Sequence, residues 1–392
     1  MPADHRERPD RARSGDAGLL AGRPEERKAP RREKNSRLLA LATLSMLAFP
    51  AVGRGESQSR FAVLISNNTG QDPARSLHYA EADAMRLRDV LVDLGGFPGE
   101  HVTLVTGQNA AVARTALARV FAAASSAPGG ATVLVYYSGH ATPAGLELGS
   151  SLLPFDELRR WAREGAGTTR ILVIDACHSG VVLRPKGGRL ERGFDIETDL
   201  ASEARGYAIL TSSADAEQSQ ESSAIRASVF THHFTSGLRG AADTTGDGRV
   251  TLSEAWNYVS RRTTAASLLT SAGPQHPAFE LHLAGHQEPQ LTEVRSASAR
   301  LTVESSSERR VFLVAMTPSG GDRRLVAEGL VGPDAALTIA LRPGRFEVLA
   351  KGEWGDFASR EIELAAHDHG RISTSEFEPR TLVRSAEKGG LF

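Results

Sequence analysis

Residues 171–180 read ILVIDACHSG, an apolar run that stops abruptly at small residues and a cysteine. A second run, ATVLVYY at residues 131–137, stops in the same way at SGH, residues 138–140. Such patterns predict strands of a parallel sheet, and the carboxyl ends of these strands carry the sites of open α/β folds. We therefore expect Cys177 and His140 at two such strand ends, where a thiol and an imidazole can form a nucleophile and base pair.

The two motifs resemble those of caspase-like cysteine peptidases of the metacaspase and bacterial paracaspase type. Hallmarks of that family are a strand ending in Ser-Gly-His and a later strand ending in Asp-x-Cys-x-Ser-Gly, matched here by residues 138–140 and 175–180. The resemblance implies an α/β caspase-hemoglobinase fold, with a mostly parallel six-stranded sheet flanked by helices. It also implies an acyl-enzyme on Cys177, with His140 as the base and the backbone N–H groups of Gly139 and Cys177 holding the oxyanion.

Each of the two side chains has an ordinary interpretation when it is considered alone. A lone cysteine is commonly a small buried hydrophobe, and a lone histidine is commonly a loop or capping residue. The presence of both motifs in the family's order favours the catalytic interpretation. His178 is adjacent to Cys177, but on an extended chain it points the other way, so we expect it to have a structural or loop role.

The resemblance also implies cleavage after arginine or lysine. In the family, one pocket acid lies two residues before the cysteine, which is Asp175 here, and another lies on the first helix, matched by Asp83 within EADA at residues 81–84. Two carboxylates complement a guanidinium or ammonium group and repel an acidic side chain. Asp83 can equally be an ordinary solvated helix acid. The chain lacks the Gln-Ala-Cys motif of the caspases that cleave after aspartate.

Residues 184–206 follow the nucleophile strand, lack periodicity and include several basic residues. Relatives often cleave themselves in this interval, and the predicted pocket would accept such residues. Self-processing is therefore one interpretation of this segment. An exposed loop with solvated charges is the other.

The N-terminal region predicts export of the protein. Residues 1–36 are crowded with Arg, Glu, Pro and Asp, which is typical of disorder. Residues 37–53 contain an uncharged apolar run that follows basic residues, with small residues preceding a cut after Gly53, as in a secretory signal peptide. The run is shorter than the ~20 apolar residues of a spanning helix, so a signal anchor is the less favoured alternative. We expect a secreted or periplasmic protein.

The composition indicates which classes of binding partner to expect. It has 46 Lys and Arg residues against 47 Asp and Glu residues, so bulk charge predicts no nucleic-acid or membrane-surface partner. Its single cysteine cannot form an intramolecular disulfide. The expected partners are protein or peptide substrates, the proposed chemistry requires no cofactor, and the resemblance to metacaspases implies a monomer.

Residues 243–254, DTTGDGRVTLSE, look like an EF-hand calcium loop. Asp243, Asp247 and Glu254 fall at loop positions 1, 5 and 12, with glycine at position 6. Position 3, where an Asp or Asn is expected, is occupied by a threonine, and only one such loop is present. Two interpretations stay open: a weak calcium site, and a turn that caps the helix beginning near Leu252.

The chain divides into two parts by pattern. Strands alternate with helices from about residue 60 to 286, which predicts the peptidase domain. Residues 290–392 carry short alternating runs between turn residues, which predicts a small antiparallel β-sandwich. The sandwich has no catalytic signature, so a spacer role and a binding role are both open. The alternative functions are a catalytically silent scaffold that binds through the sandwich, and a calcium-gated protease. His232 and His233 are interpreted as structural.

Overall fold

The computed structural model describes residues 58–183, 204–214, 217–268, 270–285, 287–316 and 323–380. The predicted disordered N-terminus, the signal peptide and residues 184–203 of the self-processing interval lie outside these ranges. Within the ranges, no helix has the length and apolarity that a membrane-crossing helix needs.

A mostly parallel sheet of six strands forms the centre of the first domain. Its strands are β1 (Ser59–Asn67), β2 (Val102–Thr106), β3 (Ala131–Gly139), β4 (Thr169–Asp175), β5 (Arg205–Thr211) and β6 (Ala278–Ala284). They lie in the order β6-β5-β4-β3-β1-β2, and β6 alone runs antiparallel to its neighbour. The predicted sheet is thereby confirmed. The chain places β2 on one side of β1 and β3 on the other, so the direction of strand addition reverses between β1 and β3. Open α/β sheets form their sites at such switch points.

Helices cover both faces of this sheet. They are α1 (Ala80–Leu94), α2 (Ala110–Ser125), α3 (Phe155–Glu164), α4 (Val229–Ser236) and α5 (Leu252–Ser267). Successive strand residues point to opposite faces. Leu64 and Val173 therefore pack with α1, α4 and α5, whereas Ile65 and Ile174 pack with α2 and α3. Burial on both faces explains why the strand sequences are apolar almost without interruption.

Short strands fill the connections of the first domain. A small sheet follows β3, a hairpin with strands of two residues each precedes α4, and one short strand precedes α5. These strands are Ala141–Thr142, Gly145–Leu148, Ser151–Pro154, Glu221–Ser222, Ala227–Ser228 and Arg249–Thr251. The last of them pairs with Gln290–Glu293, so residues just beyond 286 still pair within the first domain.

Two sheets that share one apolar core form the second domain, as the alternating runs predicted. Their main strands are β7 (Ala299–Glu304), β8 (Arg309–Met316), β9 (Arg323–Val331), β10 (Leu337–Leu341), β11 (Gly344–Lys351), β12 (Phe357–Leu364) and β13 (His369–Ser373). The sheets have the orders β10-β7-β13 and β9-β8-β11-β12, and a short strand at Glu378–Pro379 extends the second. The β7–β13 pair is parallel, unlike the antiparallel pairing that was predicted.

The sandwich packs directly on the helices of the first domain. Arg342 donates to Asp93 of α1 at 2.7 Å, and a Cβ at Gly240 would lie 2.3 Å from the carbonyl oxygen of Thr338. The described residues of both domains accordingly form one compact unit. The second domain is thus an integral part of the molecule.

Candidate active site

Cys177 and His140 leave adjacent strands at the same level of the sheet. Ser138 of β3 is the register partner of Asp175 of β4, and each catalytic candidate lies two residues further along. Both side chains are half-buried. The structure therefore brings the two predicted groups to one edge of the sheet.

The backbone of His140 is fixed by two hydrogen bonds. Its carbonyl oxygen accepts from the Tyr137 hydroxyl at 2.6 Å and from the Glu147 N–H at 2.9 Å. Gly70 lies against the imidazole, since a Cβ there would be 2.9 Å from ring atom Cδ2. The ring atom Nε2 is buried and has no hydrogen-bond partner among the described residues. The imidazole is therefore packed against Gly70, and its Nε2 atom is not engaged by any described residue.

Gly139, the last residue of β3, is the residue that the backbone requires before His140. A Cβ at this position would lie 2.4 Å from Tyr137 Oη and 3.0 Å from the carbonyl oxygen of Asn67. Real Cβ atoms do not approach other atoms so closely, so Tyr137 would have to move. The same tyrosine hydroxyl donates to the His140 carbonyl oxygen. Glycine at 139 therefore leaves room for the tyrosine that holds the backbone of His140 in place.

The Cys177 thiol lies in a partly desolvated position. Its Sγ atom is 3.9 Å from the carbonyl oxygen of Ser219. Burial raises the pKa of the Cys177 thiol, and the charge of Asp175 adds to the rise. The thiol is therefore protonated near neutral pH in this conformation and needs a base before it can attack.

The chain turns sharply after the cysteine. His178 has φ 56°, which is uncommon for a residue other than glycine, and its N–H donates to the carbonyl oxygen of Glu217 at 3.1 Å. The expectation of an extended chain at this point is therefore wrong. The left-handed residue redirects the backbone into a short 3₁₀ segment, Ser179–Leu183, and this gives His178 a role in the turn.

Asp175 and Asp83 meet at Ser228, the N-cap residue of α4. The Ser228 hydroxyl donates to Asp175 Oδ2, and its backbone N–H donates to Asp83 Oδ2 at 2.8 Å. The two acids are 2% and 0% exposed, respectively. The interpretation of Asp83 as an ordinary solvated helix acid is therefore wrong, and the structure unites two acids that are far apart in the sequence.

The carboxylate oxygens of Asp175 and Asp83 also accept hydrogen bonds from other side chains. Asp175 accepts from Ser219 Oγ at 2.5 Å and from Thr231 Oγ1 at 2.7 Å. Arg86 Nη1 lies 2.5 Å from Asp83 Oδ1, and its Nη2 donates to a backbone carbonyl in the hairpin before α4. Sequence reasoning missed these three partners and Ser228. The donors to Asp175 lie at least 44 residues away in the chain, and Arg86 has no distinguishing local pattern.

Burial raises the pKa of Asp83 to about 8. The charge of Asp175 acts in the same direction, whereas Arg86 and the Ser228 N–H act against the rise. Asp83 is therefore protonated in a large fraction of molecules at neutral pH and becomes a carboxylate as the pH rises through about 8.

A family model of the caspase domain matches residues 59–297, more than half of the chain. The chain belongs to the caspase domain family. The predicted resemblance is confirmed, and the protein is a caspase-like cysteine peptidase with protein substrates. Among solved structures, the chain is similar to the crystal structure of caspase-1 from Spodoptera frugiperda, at 16% identity and a TM-score of 0.42, covering 58% of this chain and 89% of that one. No curated protein gives a significant match.

The acidic loop of this caspase domain is stabilised by its own hydrogen bonds. Asp243 accepts from the Gly246 N–H at 2.8 Å, and Asp247 accepts from the backbone N–H two residues further on. Glu254 and Thr251 form a capping box at the start of α5. Each predicted calcium ligand thus has a place in a turn or a cap, which favours the capping interpretation.

A buried cluster joins the caspase domain to the sandwich. His232, His233 and Glu328 each present a metal-ligating atom within 4.8 Å of the others. Arg262 and Arg310, however, approach the same carboxylate at 2.7 and 2.8 Å. Two guanidinium groups would repel a metal cation. Burial lowers the pKa of His233 to about 3, so this ring is neutral at neutral pH. We assign the cluster to a cage around the Glu328 carboxylate, which agrees with a structural role for the two histidines.

Proposed function

We propose that this caspase domain is a cysteine endopeptidase that hydrolyses peptide bonds after arginine or lysine, with Cys177 as nucleophile and His140 as base. The observation that supports the specificity is the meeting of Asp175 and Asp83 at Ser228, since Asp175 ends β4 two residues before the nucleophile. Asp175, joined by Asp83 where that acid is ionised, attracts a cationic side chain and repels an aspartate.

The mechanism follows from the protonation of the resting thiol. His140 takes the Cys177 proton as the sulfur attacks the substrate carbonyl carbon, and a tetrahedral oxyanion forms beside the N–H groups of Gly139 and Cys177. His140 then gives its proton to the leaving amine, and the C–N bond breaks. Water attacks the thioester, His140 accepts a proton from that water, and the carbon–sulfur bond breaks. The acid product leaves and the thiol regains its proton.

In the resting conformation, a substrate cation must displace Arg86 to reach Asp83. Replacing Arg86 by glutamine is therefore expected to lower KM for an arginine peptide by about tenfold, since hydrogen bonds between charged groups contribute about 1.5–3 kcal/mol. The measurement is KM and kcat for the variant and the wild type at pH 8.5 to 9. In the wild type this pH lies above the pKa of about 8 at Asp83, so the acid is a carboxylate in most molecules. Loss of Arg86 raises that pKa further, so the comparison is repeated at a higher pH.

Arg88→Gln is the matched control for this prediction. Arg88 lies on the same helix, two residues further on, and its ion pair with Asp89 is at the surface. Its replacement should leave KM within about twofold, as surface ion pairs contribute little. An unchanged or higher KM in Arg86→Gln would mean that Arg86 supports Asp83 and does not compete with substrate.

The first test of the function is a fluorogenic peptide series with Arg, Lys or Asp at the scissile position. Cleavage after Arg and Lys is expected, with no measurable cleavage after Asp. The rates should be equal with calcium and with a chelator, since Glu254 already has a capping role. Faster cleavage after Asp would contradict the specificity, and calcium-dependent rates would favour the calcium-gated protease. The absence of any cleavage would favour the silent scaffold.

A further inference from the structure

Helix α4 connects the proposed specificity site to the sandwich domain. It has eight residues, and all of them are buried. At its amino end, Ser228 contacts both acids and Thr231 donates to Asp175 at 2.7 Å. The Tyr136 hydroxyl lies 2.7 Å from Thr231 Oγ1 and ties this end to the central sheet. The orientation of α4 therefore determines where the hydroxyl groups on the acids lie.

The other part of α4 faces Glu328 of the sandwich strand β9. His233 Nδ1 lies 3.3 Å and His232 Nε2 lies 3.7 Å from the Glu328 carboxylate. The Glu328 backbone N–H donates to Ser236 Oγ at 3.3 Å, and its carbonyl oxygen accepts from Tyr258 of α5 at 2.8 Å. The sandwich thus contacts this helix through a backbone hydrogen bond to Ser236, and the Glu328 side chain packs against the two imidazole rings.

The carboxylate of Glu328 has little freedom to move. Glu328 is 1% exposed, and Arg262 and Arg310 bind its oxygens. Burial acts to raise the pKa of Glu328, but cationic neighbours such as Arg310 hold this pKa well below its usual range. Moving Glu328 away from the helices would separate the buried carboxylate from Arg262 of α5, and a buried charge that loses a partner is strongly unfavourable.

A second contact reaches the helix that carries Asp83. Arg342 of the sandwich donates to Asp93 at 2.7 and 3.1 Å and to Asp89 at 3.2 Å. Both acids lie on α1, whose first turn contains Asp83. The sandwich therefore contacts both helices that contribute to the proposed specificity site.

We propose that Glu328 is a positioning residue for substrate recognition, and that the sandwich domain sets the geometry of the Asp83–Asp175 site through α4. The inference rests on the proposed cleavage after arginine or lysine. It assigns the sandwich a part in the reaction of the caspase domain. Glu328 touches no substrate, so its effect must pass through the helix.

Glu328→Gln and Glu347→Gln form a matched pair for testing the inference. Glu347 is also 1% exposed and is also bound by two arginines, Arg323 and Arg380, but it lies on β11 within the sandwich. Both variants should be destabilised to a similar extent. Per folded molecule, Glu328→Gln is expected to lose about tenfold in kcat/KM for an arginine peptide, mainly through KM, as is typical of coupling through packed networks. Glu347→Gln should stay within about twofold. Equal values for the two variants would overturn the proposal.

Hydrogen exchange provides a readout that does not depend on cleavage. Amides of residues 228–236 should exchange about tenfold faster in Glu328→Gln than in Glu347→Gln, because the held end of α4 is released. Equal exchange would overturn the inference. If the wild type cleaves no arginine peptide but the exchange difference is present, the proposed function fails while the link from Glu328 to α4 stands.

Arg342→Gln is the milder variant if Glu328→Gln does not fold. Its side chain is about half exposed, so the fold should tolerate the change. Its KM for an arginine peptide should rise by about two- to threefold, with kcat unchanged, as for a weaker contact in the same coupled network. An unchanged KM in this variant would overturn the part of the inference drawn from the α1 contact, because Arg342 reaches the helix of Asp83 and not α4.

Discussion

Replacing Cys177 by alanine is expected to lower cleavage of an arginine peptide by a factor of about 10⁴ or more, as for the removal of other enzymatic nucleophiles. The thiol is the atom that forms the acyl-enzyme, and backbone N–H groups alone cannot substitute for it. The measurement is kcat under saturating substrate, with thermal unfolding to establish that the variant is folded. Cys177 is half-buried and makes one weak hydrogen bond, so stability should change little.

His140→Ala is the companion variant, and the single cysteine of the chain makes it informative. Alkylation with iodoacetamide reports on one thiol only. We expect slower alkylation and slower cleavage in His140→Ala, with partial recovery of cleavage on addition of imidazole. Cleavage by Cys177→Ala at the wild-type rate would contradict the proposed nucleophile. Alkylation at the wild-type rate in His140→Ala would contradict the proposed base. Mass spectrometry of the wild type and Cys177→Ala would also reveal self-processing in residues 184–206.

The central sheet was predictable because its strands are buried on both faces. Short apolar runs such as residues 131–137 and 171–175 predict buried strands, and glycine or proline marks several of their ends. Helices lie between the strands, as the alternation over residues 60–286 predicted. The parallel β7–β13 pair in the sandwich was not predictable, because short alternating runs give the face of a strand but not the direction of its neighbour.

The two proposed catalytic side chains were predictable because each directly follows a strand of recognisable sequence. Asp83 and Asp175 could be named only through family resemblance, since an acid near a helix start is common. Their contact at Ser228 depends on how the segment before α4 folds back over the sheet. The cage around Glu328 was also beyond prediction, because its members come from both domains and meet only after the sandwich has docked.

Asp175→Asn is expected to lower kcat/KM for arginine and lysine peptides by about a hundredfold, since hydrogen bonds to a charged group contribute about 1.5–3 kcal/mol. The Asp175 carboxylate accepts from three hydroxyl groups, those of Ser219, Ser228 and Thr231. An asparagine would turn a donor N–H₂ group toward at least one of these hydroxyls. The change therefore removes a charge and also disturbs the donors that hold the site together.

A pair of substrates separates these two effects of Asp175→Asn. Citrulline has nearly the shape of arginine but no charge, so the ratio of kcat/KM for arginine over citrulline peptides measures recognition of the charge. We expect this ratio to collapse in Asp175→Asn and to persist in Asp156→Asn, a surface acid of α3 paired with Arg159. If both substrates slow equally in Asp175→Asn, the acid organises the strand end without recognising the cation. Charge recognition would then have to depend on Asp83, and its titration near pH 8 should govern the arginine rate.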